Sequence, residues 1–239
     1  MTTAGLSQQF PWVAQMAQAV SNGRNTDAVL AKAPGALRAG VQALGFHVLR
    51  QWAWAHAVTA HLVAKRPDPE LGIWLTTAVA LLREPRPYDA HTLVDQAVQA
   101  CKDNQRLTAK APFVNACLRR LLREYAALDE KVMVDESVQF NHPQWWIERL
   151  RKQYPEQWRA VLGANGVAGP MVLRVNAAQG SVAAYQLHLA EIGADSTAVG
   201  EEGLLLAKPL PVGQLPGFAS GAVSVQDASP QMAAHLVWD

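Results

Sequence analysis

Residues 102–123 concentrate positive charge in a short stretch of the chain. A single acidic residue, Asp103, stands among six basic ones: Lys102, Arg106, Lys110, Arg119, Arg120 and Arg123. Cations without balancing carboxylates are typical of a surface that contacts the phosphates of a nucleic acid. Arginine suits such contacts because its planar guanidinium can donate two hydrogen bonds to one phosphate. The residues alone also allow a bland alternative, a solvated helix face that binds nothing.

A predicted amphipathic helix over residues 111–128 positions the end of this basic run. Its apolar stripe consists of Phe113, Val114, Cys117, Leu118, Leu121, Leu122 and Tyr125. Arg119, Arg120 and Arg123 lie off the stripe beside Asn115, so we expect them to face solvent. A rigid helix lowers the entropy lost when these side chains bind a ligand. The candidate RNA-contacting residues are therefore Arg106, Lys110, Asn115, Arg119, Arg120 and Arg123.

The predicted fold is mainly α. Apolar residues recur at helical spacing through residues 1–137, which indicates an all-helical bundle. Residues 138–225 predict a small α/β unit, and residues 226–239 begin a further element. Within the α/β unit we expect short helices on both sides of Pro155, a helix near 181–192, and strands near 170–176, 203–207 and 222–225. On the first strand Arg174 and Asn176 share the polar face, which predicts either a second phosphate-contacting surface or a face that packs against another domain.

Two other patterns carry no predicted chemistry. The chain has seven histidines, but none stands in a metal-binding motif such as HxxxH or HExxH, so we expect no metal site. The glycines of "GANGVAG" (163–169) follow a predicted helix and precede a strand. A phosphate-binding loop needs the reverse order, so this segment is interpreted as a helix end and a turn.

The remaining features indicate a cytoplasmic protein. The two cysteines, Cys101 and Cys117, lie in helical patterns without disulfide or CxxC spacing, which predicts reduced, buried thiols. The N-terminus lacks the basic and apolar regions of a signal peptide. The longest apolar run, residues 73–82, is too short to cross a bilayer. We expect no membrane association.

Six of the eight tryptophans fall into two groups in the sequence. Trp52, Trp54 and Trp74 fall in helical patterns and are expected in the core. A second group, Trp145, Trp146 and Trp158, is expected to anchor the segment that joins the two regions. Stacking of an RNA base on one of these rings remains open, although packing is the favoured interpretation.

Several segments resemble known families. "KAPFVNACLRRLL" (110–122), with "GFHVLRQ" (45–51) upstream, resembles the NusB-type RNA-binding helical domain. "NHPQWWIERLRKQYPEQWRAVLGANGVAGPMVLRVN" (141–176) resembles the Fmu/Sun family of small-subunit (16S) ribosomal RNA cytosine-5 methyltransferases. "LPGFASGAVSVQDASPQMAAHLV" (215–237) is similar to the same family's entry into its catalytic domain.

The resemblance implies an RNA-binding N-terminal part of such an enzyme, with small-subunit ribosomal RNA as its partner. In the family, a catalytic domain that follows this point binds S-adenosylmethionine and supplies two cysteines, one of them the nucleophile. Cys101 and Cys117 match neither. We therefore expect no catalytic residue and no cofactor in this chain, which would be truncated and inactive alone. Gln226, Asp227 and Ser229 could form an edge of the cofactor site in the complete enzyme.

Two alternatives remain at this point. The chain could be a stand-alone RNA-binding or transcription antitermination factor of NusB type, although residues 138–239 would then have no assigned role. A purely structural interaction module would leave the basic run unexplained.

Overall fold

The structure is a computed structural model that describes residues 5–236, and the chain divides into two compact units, residues 1–167 and 168–239. The described part of the first unit contains eleven α-helices and no strand. The helices are α1 (Leu6–Ser21), α2 (Asp27–Lys32), α3 (Gly35–Arg50), α4 (Trp52–Leu62), α5 (Pro69–Leu81), α6 (Ala90–Asp103), α7 (Ala111–Arg123), α8 (Tyr125–Val132), α9 (Glu136–Phe140), α10 (Gln144–Gln153) and α11 (Trp158–Asn165). The predicted fold class, a helical bundle followed by a small α/β part, is confirmed.

Helix α5 is the centre of the helical unit. It begins sharply because the Asp68 side chain accepts a hydrogen bond from the Leu71 backbone N–H at 3.0 Å and Pro69 occupies the first turn. It is apolar on all sides and packs against α1, α3, α4, α6 and α7, so Trp74, Leu75 and most of its other side chains are buried. Within residues 5–236, no helix is both long and apolar enough to cross a membrane.

The long helical pattern through residues 37–62 is broken in the structure at Gln51, between α3 and α4. Asn141 stabilises the break from a distant part of the chain. Its Oδ1 accepts a hydrogen bond from the Ala53 N–H at 2.8 Å, and its Nδ2 donates to the Leu49 carbonyl at 3.0 Å. Both partners are backbone groups that a helix end leaves without an intrahelical bond. Since this contact is long-range, the local periodicity of the sequence did not predict it.

Helices α10 and α11 form a small core of their own within the first unit. Ile147, Leu150, Trp158 and Leu162 are buried there. Two guanidinium groups contact the Trp158 ring, with the Cζ atoms of Arg151 and Arg159 at 4.4 Å and 4.2 Å from the ring centroid. The contact from Arg151 on α10 to Trp158 on α11 joins the two helices across the break at Pro155, which the sequence predicted.

The second unit contains a four-stranded antiparallel sheet with strand order β2–β3–β1–β4. The central position of β1 follows from its apolar side chains, since Leu173 pairs with both Leu204 and Val225 and is fully buried. The sequence did not predict β2, because its residues are mostly exposed and do not alternate between apolar and polar. The elements are β1 (Val172–Val175), α12 (Val182–Glu191), β2 (Ser196–Val199), β3 (Gly203–Leu206), β4 (Val223–Val225) and α13 (Ala228–His235).

Candidate nucleic-acid interface

A cleft of about 680 Å³ runs between helices α6 and α7 of the first unit. Its floor is apolar and its sides are polar. The polar side chains are His91, Asp95 and Lys102 from α6 and Asn115, Arg119 and Arg123 from α7, and the apolar ones include Val94, Val98 and Leu122. The α7 members are spaced four residues apart and therefore share one helix face. We call this feature the α6–α7 cleft.

The charge of the α6–α7 cleft is positive and unpaired. Lys102, Arg119 and Arg123 are exposed, and none of them has an ion pair or a side-chain hydrogen bond with any residue that the structure describes. The cleft contains one carboxylate, Asp95, which accepts a hydrogen bond from Gln96 Nε2 at 3.1 Å. Three free cations against one carboxylate suit the cleft to phosphate groups.

Arg120 lies on a different side of α7 and is not part of the cleft. Its Nε lies 3.0 Å from a Glu124 carboxylate oxygen, and its Nη1 donates to the Leu62 carbonyl at 3.4 Å. Residue 120 is only half exposed. The sequence interpretation placed Arg120 with Arg119 as a free, solvent-facing cation. In the structure it joins α7 to the end of α4 instead, because one position along a helix turns a side chain by about 100°.

The other predicted cations of the basic run lie outside the cleft. Arg106 is highly exposed, and its guanidinium lies 3.9 Å from the Glu70 carboxylate. Lys110 is exposed at the N-terminal end of α7. Conversely, sequence reasoning did not select His91 and Lys102 as site residues. The spacing 91, 95, 98 and 102 along α6 was the signal that could have identified this second wall of the cleft.

The second predicted surface, on β1 of the sheet unit, is engaged in internal contacts. The Arg174 Nε donates to a Glu202 carboxylate oxygen at 2.6 Å. The Asn176 Nδ2 donates to the Gly221 carbonyl at 3.0 Å, and its Oδ1 accepts from the Ala178 N–H at 3.1 Å. These contacts bind the end of β1 to the neighbouring loops, so a phosphate would have to compete with them.

Gln226, Asp227 and Ser229, the residues predicted to form one edge of a cofactor site, lie at the junction of β4 and α13. The Gln226 backbone N–H donates to the Val172 carbonyl at 3.1 Å, and its own carbonyl accepts from Gln231 Nε2 at 2.9 Å. Asp227 and Ser229 are exposed at the start of α13. The last three residues of the further element predicted for 226–239 lie outside the described residues. Among residues 5–236, no three His, Cys, Asp or Glu side chains are grouped to hold a metal ion.

Both cysteines are buried, free thiols, as the sequence predicted. Burial raises the pKa of the Cys101 thiol to about 11 and also raises the pKa of the Cys117 thiol, because the thiolate loses its hydration. The Cys101 Sγ also lies 3.3 Å from the Leu107 carbonyl oxygen. Neither thiol has the environment of a nucleophile.

We expect the two thiols to react slowly with DTNB while the protein is folded. With a pKa of about 11, only about one Cys101 in a thousand is a thiolate at pH 8, and the reagent cannot reach it. Absorbance at 412 nm measures the reaction, and unfolding in guanidinium chloride should release both thiols at once. Full reaction of the folded protein within seconds would contradict the buried placement.

A family model of known proteins matches a segment that comes after α6 and α7 in the sequence. Residues 142–213 match the family model described as "Methyltr_RsmF/B-like, ferredoxin-like domain". The similarity to the ribosomal RNA methyltransferases is confirmed. The match begins with α10 and α11 of the first unit and continues through β1, α12, β2 and β3 of the second, but ends before β4.

Curated relatives of this chain carry the name "Ribosomal RNA small subunit methyltransferase B". The protein from Vibrio cholerae is 38% identical over 146 residues, which are 60% of this chain and 33% of that protein. The protein from Pseudomonas putida is 39% identical over 150 residues, which are 62% of this chain and 34% of that protein. The protein from Pasteurella multocida is 40% identical over 149 residues, which are 62% of this chain and 32% of that protein. The chain thus spans about a third of the length of the curated relatives it matches.

A solved structure supports the fold alone. The crystal structure of PH0851 superposes with a TM-score of 0.61 at 15% identity and covers 96% of this chain and 55% of that one. The motif residues that carry the family resemblance have structural contacts in this chain: Asn141 joins α3 to α4, and Trp158 fills the core between α10 and α11.

Proposed function

We propose that this chain is the RNA-binding N-terminal part of a 16S ribosomal RNA (cytosine-C5)-methyltransferase. It would act in the cytoplasm and orient the RNA for methylation by a catalytic domain outside these 239 residues. The observation that carries the proposal is the α6–α7 cleft, whose cations Lys102, Arg119 and Arg123 are free of partners among the described residues. The names of the relatives supply the class of RNA.

The chemistry of the cleft suits a bent or single-stranded RNA backbone. The guanidinium groups of Arg119 and Arg123 can each donate two hydrogen bonds to a phosphate, and Lys102 adds a point charge from the opposite wall. Asn115 can donate to a sugar or a base edge. If the protein holds only the phosphates, the bases of an RNA loop remain free to unstack. An enzyme that modifies a base needs that base unstacked. In the complete enzyme, S-adenosylmethionine would supply the methyl group.

The extent of the family match favours this proposal over a stand-alone NusB-type antitermination factor. The match covers residues 142–213 and therefore lies beyond the helical domain proposed for residues 1–137. A NusB-type factor would have no use for that segment. We accordingly propose residues 138–225 as an RNA-handling region specific to the family, whose first helices, α10 and α11, fold with the first compact unit. Residues 226–239 would begin the catalytic domain.

Equilibrium binding over a salt series tests the proposal. Fluorescence anisotropy with labelled fragments of small-subunit ribosomal RNA gives the dissociation constant between 50 and 200 mM salt. Three phosphate contacts, from Lys102, Arg119 and Arg123, predict a slope of log K against log salt of about −2 to −3. A chain that binds none of the fragments at 50 mM salt would refute the proposed function.

The purified chain should transfer no methyl group to RNA by itself. Its two thiols, Cys101 and Cys117, are buried and have raised pKa values, so neither can add to a cytosine. We also expect no binding of S-adenosylmethionine. Calorimetry that detects micromolar binding of this cofactor, or incorporation of a labelled methyl group into RNA, would contradict the prediction.

A further inference from the structure

Helix α10 carries a tryptophan, Trp145, whose side chain is exposed to solvent. The side chain of Trp145 is 62% exposed, although Trp158 and the other core residues of the same segment are buried. The position follows from helix geometry, because Trp145 lies almost opposite Ile147 and Leu150, the two residues through which α10 is buried. An indole turned away from the core contributes little to stability, and its exposure alone assigns it no role.

The orientation of this indole is fixed by its neighbour. The Trp145 and Trp146 rings meet edge to face, with centroids 5.5 Å apart and planes at 74°. Trp146 in turn packs against the small core of α10 and α11. A ligand that stacks on Trp145 therefore meets a ring that is already held, and little conformational entropy is lost on binding.

Two unpaired cations lie on the same helix face. Arg149 and Lys152 follow Trp145 at four and seven residues, and both are exposed. Neither has an ion pair or a side-chain hydrogen bond within residues 5–236. One carboxylate, Glu148, lies beside them and accepts a hydrogen bond from Gln144 Nε2 at 3.2 Å. The face therefore combines one flat aromatic ring with a net positive charge.

From this arrangement we propose that Trp145 stacks on an unpaired RNA base while Arg149 and Lys152 contact the phosphates on either side. The proposal rests on the proposed function and adds a site that binds an unpaired base by stacking, whereas the cations of the α6–α7 cleft contact phosphates. A protein partner fits the face less well, since Lys and Glu, here Lys152 and Glu148, are depleted from the core of a protein interface. An aromatic ring flanked by cations is the arrangement that binds single strands.

The test compares Trp145→Ala with Trp145→Phe on two RNA probes. One is a single-stranded oligonucleotide of small-subunit ribosomal RNA sequence, and the other is the same sequence within a blunt duplex. Loss of one stacked base should weaken binding of the single strand by about 5- to 100-fold, whereas the salt slope and the duplex affinity stay unchanged. Phe keeps an aromatic face and should retain most of the affinity. Tyr154→Ala, which removes a half-exposed aromatic ring at the other end of α10, is the matched control.

The outcomes separate this inference from the proposed function. If the unaltered chain binds no RNA, the proposed function fails and this site fails with it. If the unaltered chain binds RNA and Trp145→Ala binds equally well, only the site on α10 is refuted, and Trp145 is then assigned to a protein contact. Arg149→Ala with Lys152→Ala should lower the salt slope by about one to two units, and an unchanged slope would refute their phosphate contacts.

Discussion

Replacement of Arg119 and Arg123 by Ala should weaken RNA binding by about 10- to 100-fold and lower the salt slope by about two units. Each arginine provides one charge-assisted contact in the α6–α7 cleft, and each lost contact releases about one counterion fewer. Because phosphate contacts carry no sequence information, the loss should be similar for different RNA sequences. Anisotropy at several salt concentrations measures both quantities.

Arg120→Ala is the matched control for this experiment. It removes one arginine from the same helix, where the test variant removes two, but Arg120 pairs with Glu124 and lies outside the cleft. Its RNA affinity and salt slope should stay close to those of the unaltered chain, and Lys131→Ala on α8 should behave likewise. Equal losses of binding free energy per charge removed in all of these variants would mean that RNA senses only net charge. No loss in the Arg119/Arg123 variant, with its circular dichroism unchanged, would mean that these arginines solvate a helix.

Replacement of Trp54 by Ala should destabilise the helical unit by about 3–5 kcal/mol. Trp54 is fully buried, and its Nε1 donates to Asp129 Oδ1 at 2.7 Å. The Arg83 guanidinium carbon lies 5.1 Å from the centroid of the Trp54 ring, and the centroid of the Tyr125 ring lies 5.7 Å from it. The substitution therefore opens a cavity and leaves the Asp129 carboxylate without the indole N–H donor.

Urea denaturation followed by circular dichroism at 222 nm measures this loss in the free energy of unfolding. Trp145→Ala provides the comparison, because removal of an exposed indole should change stability by less than about 0.5 kcal/mol. A loss below about 1 kcal/mol in Trp54→Ala would contradict its place in the core. Similar losses in the two variants would contradict the distinction between a packed and an exposed tryptophan.

Helical periodicity made most of the fold predictable. It failed where contacts between residues distant in the sequence determine the local structure. The buried helix α5 and most of the apolar stripe of α7 follow from local spacing and are present in the structure. Two parts of the prediction for residues 111–128 were wrong, because Phe113 is 42% exposed and the helix is broken at Glu124 between α7 and α8. The break at Gln51 was not predictable, since it depends on hydrogen bonds from Asn141, ninety positions away in the sequence. Strand β2 was missed because its exposed residues lack the alternation that a half-buried strand shows.

The candidate site was predictable only in part for a related reason. Charge and helix phase selected Arg119 and Arg123, but the pairing of α6 with α7, which brings Lys102 to the same cleft, is a tertiary contact. The partners of Arg120 and Arg174, the carboxylates of Glu124 and Glu202, likewise become neighbours of the arginines only in the folded chain. Sequence composition counts charges, whereas the fold decides which of them remain free.

Photo-crosslinking tests the central claim, that RNA binds in the α6–α7 cleft, most directly. Fragments of small-subunit ribosomal RNA that carry 4-thiouridine are irradiated with the purified chain, and the crosslinked peptides are identified by mass spectrometry. The account predicts crosslinks to the two walls of the cleft, residues 91–102 and 115–123, which should disappear in the Arg119→Ala/Arg123→Ala variant. Crosslinks confined to residues 168–236, in a chain that binds the RNA, would contradict it.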